Sequence, residues 1–257
     1  MAIDRSEQAI QDGLADRYHR VNYSHPHFLE YSGWVSQALV SSIDWDSKDS
    51  WAVLDDGCGI GYMAGWLKRR YGVKVTVYGL DLSMNMLKVA SGGKSGFFCQ
   101  GNGEELPFKD KAFDVVFARG LLHHLPAPGR GLGEIHRVLK GGGFFCGMDP
   151  NRGLFPSFIR RTFQGGGEFS RTHREFDSRE YAKLVEGGFQ ILSFRHFGYF
   201  AYLLMAAVGV FDFLSLLHVP LAFTRFLIAV DDRLLAASPL RKQGFGFVIT
   251  ALKRHWK

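Results

Sequence analysis

The stretch VLDDGCGIGY, Val53 to Tyr62, decides how the rest of the chain reads. An apolar run that begins at Trp51 ends in two acids, and glycine then stands at 57, 59 and 61. "WAVLDD" has the composition of a buried strand, and "GYMAGWLKRRYG" has helical spacing and closes on Gly72. A loop that leaves a parallel strand and enters a helix lies at the carboxyl edge of the sheet, where open α/β folds bind ligands. Glycines allow a sharp backbone turn and a close ligand approach. The following helix turns unpaired N–H groups toward that ligand. The stretch predicts a ligand loop.

Outward from it, short apolar runs alternate with helical patterns. "KVTVYGLD", "GFFCQGN", "AFDVVFARG" and "GGGFFCGMDP" read as strands two to five, and "SMNMLKVA" and "PGRGLGEIHRVLK" read as helices between them. After Pro150 come a helix "SREYAKLVEGG", a sixth strand "FQILSFRHFGYF" and a seventh, "GFGFVITALKR". The fold class is α/β: a Rossmann-like, seven-stranded, mostly parallel sheet with helices on both faces. Residues 1–50 read as an N-terminal helical lid broken at His25–His27, residues 51–150 as a cofactor-binding core, and residues 151–257 as an acceptor-side half. That half carries an apolar helical insertion at 199–243 before the last strand at 244–253.

The residues alone leave two cofactors open. "GIGYMA" fits the dinucleotide fingerprint, and Asp81 follows at the end of the second strand as a ribose partner should. Both features suit NAD and S-adenosylmethionine alike. The acids before the glycines favour the second, because carboxylates repel a pyrophosphate and attract a sulfonium and an ammonium.

"VLDDGCGIG", "VYGLDLSMNML", "GNGEELPFKDKAFDVVFARGLLHHL" and "EIHRVLKGGG" together resemble, in order and spacing, the motif blocks of class I S-adenosylmethionine-dependent methyltransferases. The resemblance is to the small-molecule branch that includes the ubiquinone and menaquinone biosynthesis enzymes, and it runs from Trp51 to Asp149. It implies that Asp55, Gly57, Cys58, Gly59 and Gly61 shape the loop beside the methionine part of the cofactor. It implies that Asp81 holds the ribose hydroxyls, Leu82 packs on the adenine, and Arg119 ends the fourth strand beside the methionine moiety. Asn102, with Gly103 and Glu104, stands where the family usually has aspartate for the adenine amine. Asp56 replaces the family's usual apolar residue; it would bind the cofactor's ammonium or bond to backbone.

Methyl transfer to a neutral hydroxyl gains from a base, and histidine suits one near neutral pH. His123 and His124, just past the fourth strand in "LLHHLP", are candidates for that base, with a structural bond to backbone as the alternative. His173 in "SRTHREF" is a further candidate. Tyr18, Tyr23, His27 and Phe200 are candidate acceptor contacts. His25 and His27 lack the partners of a metal site, so no metal is expected.

The insertion is rich in Leu, Phe, Val and Ala, but Asp212, His218, Pro220 and Arg225 interrupt it. A spanning helix is therefore disfavoured, since one needs about 20 predominantly apolar residues. If the seventh strand is antiparallel, as the resemblance implies, the insertion between it and the sixth must emerge at the ligand edge, as a roof over a hydrophobic small-molecule acceptor. A homodimer interface, extra core, or peripheral membrane contact helped by Arg160, Arg161 and the basic tail stay open.

Composition is consistent with these expectations. The chain's 257 residues, 46% hydrophobic and 22% charged, suffice for one sizeable core and exclude a disordered chain. The net charge of +6 comes with no nucleic-acid motif, so no nucleic-acid partner is expected. Cys58, Cys99 and Cys146 lack metal spacing and read as the reduced thiols of a cytoplasmic protein. The polar N-terminal stretch carries no secretory signal pattern. The expected activity is methyl transfer from S-adenosylmethionine to oxygen, then carbon or nitrogen. An NAD-dependent oxidoreductase and a non-catalytic cofactor- or lipid-binding module are the competing classes.

Overall fold

In the computed structural model, which describes residues 5–17, 25–153, 176–204, 219–236 and 240–254, seven strands build one sheet. They are β1 (Trp51–Asp56), β2 (Val75–Asp81), β3 (Phe97–Gln100), β4 (Phe113–Arg119), β5 (Leu139–Pro150), β6 (Phe189–Phe197) and β7 (Gly246–Lys253). Their order is β3-β2-β1-β4-β5-β7-β6. β1 to β5 pair in parallel, and β7 runs antiparallel between β5 and β6. Phe197 and Pro150 both pair with Gly246, so β6 ends and β7 begins at the carboxyl edge of the parallel strands. The seven strands expected from the sequence are all present. β5 starts two residues earlier than the glycine run suggested. Leu139 is fully buried and pairs with Phe113, and the register shift that follows accommodates Gly142 at φ +72°.

The helices are α1 (Arg5–Arg17), α2 (Pro26–Val40), α3 (Tyr62–Tyr71), α4 (Met84–Gly92), α5 (Pro128–Val138), α6 (Ser178–Glu186) and α7 (Leu221–Ala236). Tyr31, Val35, Ala38 and Leu39 fall on one stripe of α2, which seats that helix with α3 on one face of the sheet. Leu132, Ile135, Tyr181 and Val185 seat α5 and α6 on the other. Burying each such large apolar side chain contributes about 1.5–3 kcal/mol. The β1 residues alternate between the cores: Val53 packs in the first and Leu54 in the second. By the same period of two, Asp55 points to the α2–α3 side and Asp56 to the α5–α6 side.

α7 packs on α2 and β6. Arg225 on α7 pairs with Glu30 on α2, and Arg195 on β6 pairs with Asp232 on α7. Asp231 is the main tie, accepting the N–H groups of Tyr199, Phe200 and Ala201 at 2.8, 2.9 and 3.0 Å where the chain leaves β6. The insertion is thus helical over 221–236 and is rooted at the ligand edge. No helix among the described residues is long and apolar enough to cross a membrane.

Candidate active site

The chain leaves β1 by folding over the end of β2, with the N–H groups of Gly57 and Cys58 both donating to the Leu80 carbonyl at 2.8 and 2.9 Å. Gly57, Gly59 and Gly61 have φ of +73°, +51° and +78°, a left-handed run open to glycine. The reasons for glycine differ along it. A Cβ at Gly61 would sit 3.0 Å from the Ala90 Cβ, whereas one at Gly59 would meet nothing within 4 Å. Gly59 therefore faces open space at the crevice. α3 starts at once after Gly61 without a side-chain cap, so its first N–H groups are directed at the same space.

Asp81 completes the loop from β2. Its Oδ2 accepts the Gly59 N–H at 2.7 Å and its Oδ1 accepts the Ser83 N–H at 2.8 Å. Burial raises its pKa against the pull of those backbone bonds. Each oxygen keeps a second lone pair for a hydroxyl. Leu82 is half-buried beside it, and its carbonyl accepts the Gln100 amide.

The acid pair is unusual. Asp55 is 2% exposed, and its Oδ2 has no hydrogen-bond partner. Burial pushes its pKa up to about 7, opposed by the Arg119 guanidinium and reinforced by Asp81. Arg119, at the end of β4, places its guanidinium 5.2 Å from the centre of the Tyr62 ring, and its buried Nε has no partner. Asp56 is fully buried with neither oxygen bonded; burial raises its pKa far above the carboxylate range, and Asp55, Asp81 and Glu134 add to the shift. It lies under Gly103, where a Cβ would come within 3.1 Å of its Oδ1.

The other expected cofactor contacts divide. The Asn102 Oδ1 accepts the Glu104 N–H at 2.9 Å, which bends the loop and leaves one lone pair for another donor. The Glu104 carboxylate is buried and accepts the Ala127 N–H at the start of α5, so its present task is a helix start. Cys58 is buried, and burial holds its thiol well above the usual range.

Past β4, the His123 and His124 rings are tilted at 40° to each other with centres 3.9 Å apart. His123 is buried, and its Nδ1 pairs with Asp149 at the end of β5. Asp149 is fully buried; burial pushes its pKa up to about 7, and the neighbouring Tyr181 hydroxyl and the His123 backbone oppose that rise. His124 Nδ1 lies 3.0 Å from the Glu7 Oε1 of α1. Asp149, Tyr181 and Glu7 were not candidates from the sequence. An acid closing the fifth strand in "GMDP", at the same edge as the glycine loop, was the available signal for Asp149.

Of the acceptor candidates, His27 is buried and its Nδ1 bonds to the Thr224 hydroxyl, tying α2 to α7. Phe200 is exposed at the exit from β6, edge-on to Tyr199. Tyr18, Tyr23 and His173 lie outside the described residues.

Comparison with known proteins matches the methyltransferase domain family to residues 54–147, from the middle of β1 to β5. Those residues are a methyltransferase domain. The chain is 29% identical over 164 residues to a malonyl-[acyl-carrier protein] O-methyltransferase of Marinomonas sp., covering 62% of this chain and 60% of that protein. It is 30% identical over 159 residues to a demethylmenaquinone methyltransferase of Desulfitobacterium hafniense, covering 58% and 61%. The chain thus spans about three fifths of the length of these relatives. A solved S-adenosylmethionine-dependent methyltransferase of Thermotoga maritima, described as a possible histamine N-methyltransferase, superposes with a TM-score of 0.64. That match covers 96% of this chain and 99% of that one at 19% identity, so the fold is shared.

The methyltransferase domain suits S-adenosylmethionine on its own geometry. An amino-acid zwitterion needs an anion and a cation side by side, and Asp55 Oδ2 and Arg119 Nε are buried, unbonded and electrostatically coupled. Gly59 leaves the room a ligand requires.

Proposed function

We propose that the protein is a methyltransferase that moves a methyl group from S-adenosylmethionine to the oxygen of a small hydrophobic acceptor. One observation carries the choice of cofactor: Asp55, nine-tenths or more buried with an unbonded oxygen, stands at a glycine loop that faces open space. Such an acid repels the pyrophosphate of a dinucleotide and attracts an ammonium or sulfonium. S-adenosylmethionine, when bound, supplies a methyl group already activated for displacement. Asp55 and Arg119 would hold its amino-acid end, Asp81 its ribose and Asn102 its base.

The choice of oxygen rests on His123 and Asp149. Asp149 fixes the imidazole through Nδ1 and offsets the charge that forms when His123 takes the acceptor's hydroxyl proton at Nε2. With Asp149 titrating at about 7, the pair holds and passes a proton near neutral pH. Buried and set back from bulk water, it favours transfer to the bound hydroxyl over solvent exchange.

A hydrophobic acceptor is supported by the apolar surroundings where β6 gives way to α7. Phe197, Tyr31, Trp34 and Tyr202 cluster there, with Phe200 beyond them. On the outer side of α7, Phe223 and Phe226 are 46% and 59% exposed and stack on each other, which supports uptake of the acceptor from a bilayer surface. Calorimetric titration with S-adenosylhomocysteine and with NADH tests the cofactor. Incubation with labelled S-adenosylmethionine and a lipid extract tests the acceptor, and a pure binding module gives no labelled product.

A further inference from the structure

Four contacts place α1 across the carboxyl edge of the sheet. From α1, Glu7 reaches His124 in the turn after β4. Asp12 accepts the Ser83 hydroxyl and, at 3.2 Å, the Asn85 N–H where β2 gives way to α4. The Asp12 carbonyl accepts the Asn85 side-chain amide at 3.4 Å. β1 lies between β2 and β4 in the sheet, so the glycine loop sits between these two anchor points. Two strand spacings are about 9.6 Å. Five residues of helix rise about 7.5 Å. Side-chain reach makes up the remainder, so Glu7 and Asp12 are spaced to bridge the crevice.

We propose that α1 is a strap closed over the cofactor crevice by two acid latches, and that one latch, Glu7, also positions His124. Glu7 is buried, and its Oε1 accepts the Gln11 amide at 2.9 Å as well as facing His124, which holds the carboxylate in place. Among the described residues, Glu7 from α1 and Asp149 from β5 are acids that face the histidine pair. The two adjoining imidazoles therefore each face an acid, and one of those acids arrives only with the strap. Raising α1 frees the crevice for exchange of cofactor and product. Lowering it shuts the crevice and fixes the His124 ring. Asp12 does the first task without the second, because its partners, Ser83 and Asn85, lie at the opposite end of the strap.

This inference rests on the reading of the crevice as the cofactor site, and the test separates the two. Glu7→Gln and Asp12→Asn are compared with the unaltered protein by stopped-flow displacement of S-adenosylhomocysteine and by ¹⁵N NMR of labelled histidine. The strap predicts that each variant releases S-adenosylhomocysteine about tenfold or more faster, the effect of weakening one charge-assisted contact. It further predicts that only Glu7→Gln changes the His124 ring-nitrogen shifts. Release rates unchanged in both variants overturn the strap. A His124 signal that is unchanged in Glu7→Gln, or equally changed in Asp12→Asn, overturns the positioning role. If the unaltered protein does not bind S-adenosylhomocysteine, the cofactor reading fails, while the His124 signal still decides the contact with Glu7.

Discussion

Two buried acids at one strand end serve different sides of the sheet. Asp55 shares its side with Arg119, while Asp56 lies beneath Gly103 among the side chains of the α5–α6 core. The sequence shows the pair but not this division, which follows once β1 is seen to alternate Val53 and Leu54 between the cores. A parallel division separates His123 from His124. His123 is fixed by an acid of the sheet, and His124 meets an acid of a helix far away in the chain. If His123 is the proton acceptor, His123→Ala should lower turnover by about 10²–10⁴-fold. Asp149→Asn should fall in the same direction, with S-adenosylhomocysteine affinity nearly unchanged in both. Steady-state rates beside calorimetric affinities check this, and full activity in His123→Ala would remove the histidine from the mechanism.

At the scale of elements, the insertion depends on one carboxylate. Asp231 accepts three backbone N–H groups at the exit from β6 and carries the attachment of α7 there. Asp231→Ala should lower stability by about 1–3 kcal/mol, the cost of buried donors left unpaired. Denaturant midpoints measure it, and an unchanged midpoint would show that α7 is held by its other contacts without Asp231. The strands were legible in the sequence because central parallel strands are continuous apolar runs between glycine-rich turns. β7 was legible by alternation and its antiparallel direction came from the family resemblance, whereas its place between β5 and β6 is seen only in the folded sheet. The polar loop "GNGEE" was not legible in the same way. Asn102 and Glu104 are both capable of bonding a ligand or backbone, and here Glu104 is committed to the Ala127 N–H of α5. Contacts between distant segments, such as Glu7 with His124 and His27 with Thr224, leave no periodic trace in the chain.

Across the whole molecule, buried acids link stability to pH. Asp55 has a folded pKa of about 7 against an ordinary value of 3.8. A raised pKa means that the folded state binds the proton more tightly. The stability from this group is therefore full below the ordinary value and lost as pH rises through about 7. The ligand-free protein should lose thermal stability between pH 5 and 8, and Asp55→Asn should flatten that part of the profile; thermal melts across this range check both. Cofactor binding has the opposite demand, because a cation beside Asp55 favours its ionised form.

That opposition yields the most direct test of the central claim, that Asp55 at the glycine loop meets the cationic end of S-adenosylmethionine. The measurement is calorimetric titration of S-adenosylhomocysteine, which keeps the ammonium, at pH 7 in buffers of different ionisation enthalpy. The account predicts tight binding, no comparable binding of NADH, and release of about half a proton per site, the fraction protonated when pH equals pKa. It also predicts that Asp55→Asn abolishes the release and weakens binding by about 1.5–3 kcal/mol. Binding of NADH alone, or proton release and affinity unchanged in Asp55→Asn, would contradict it.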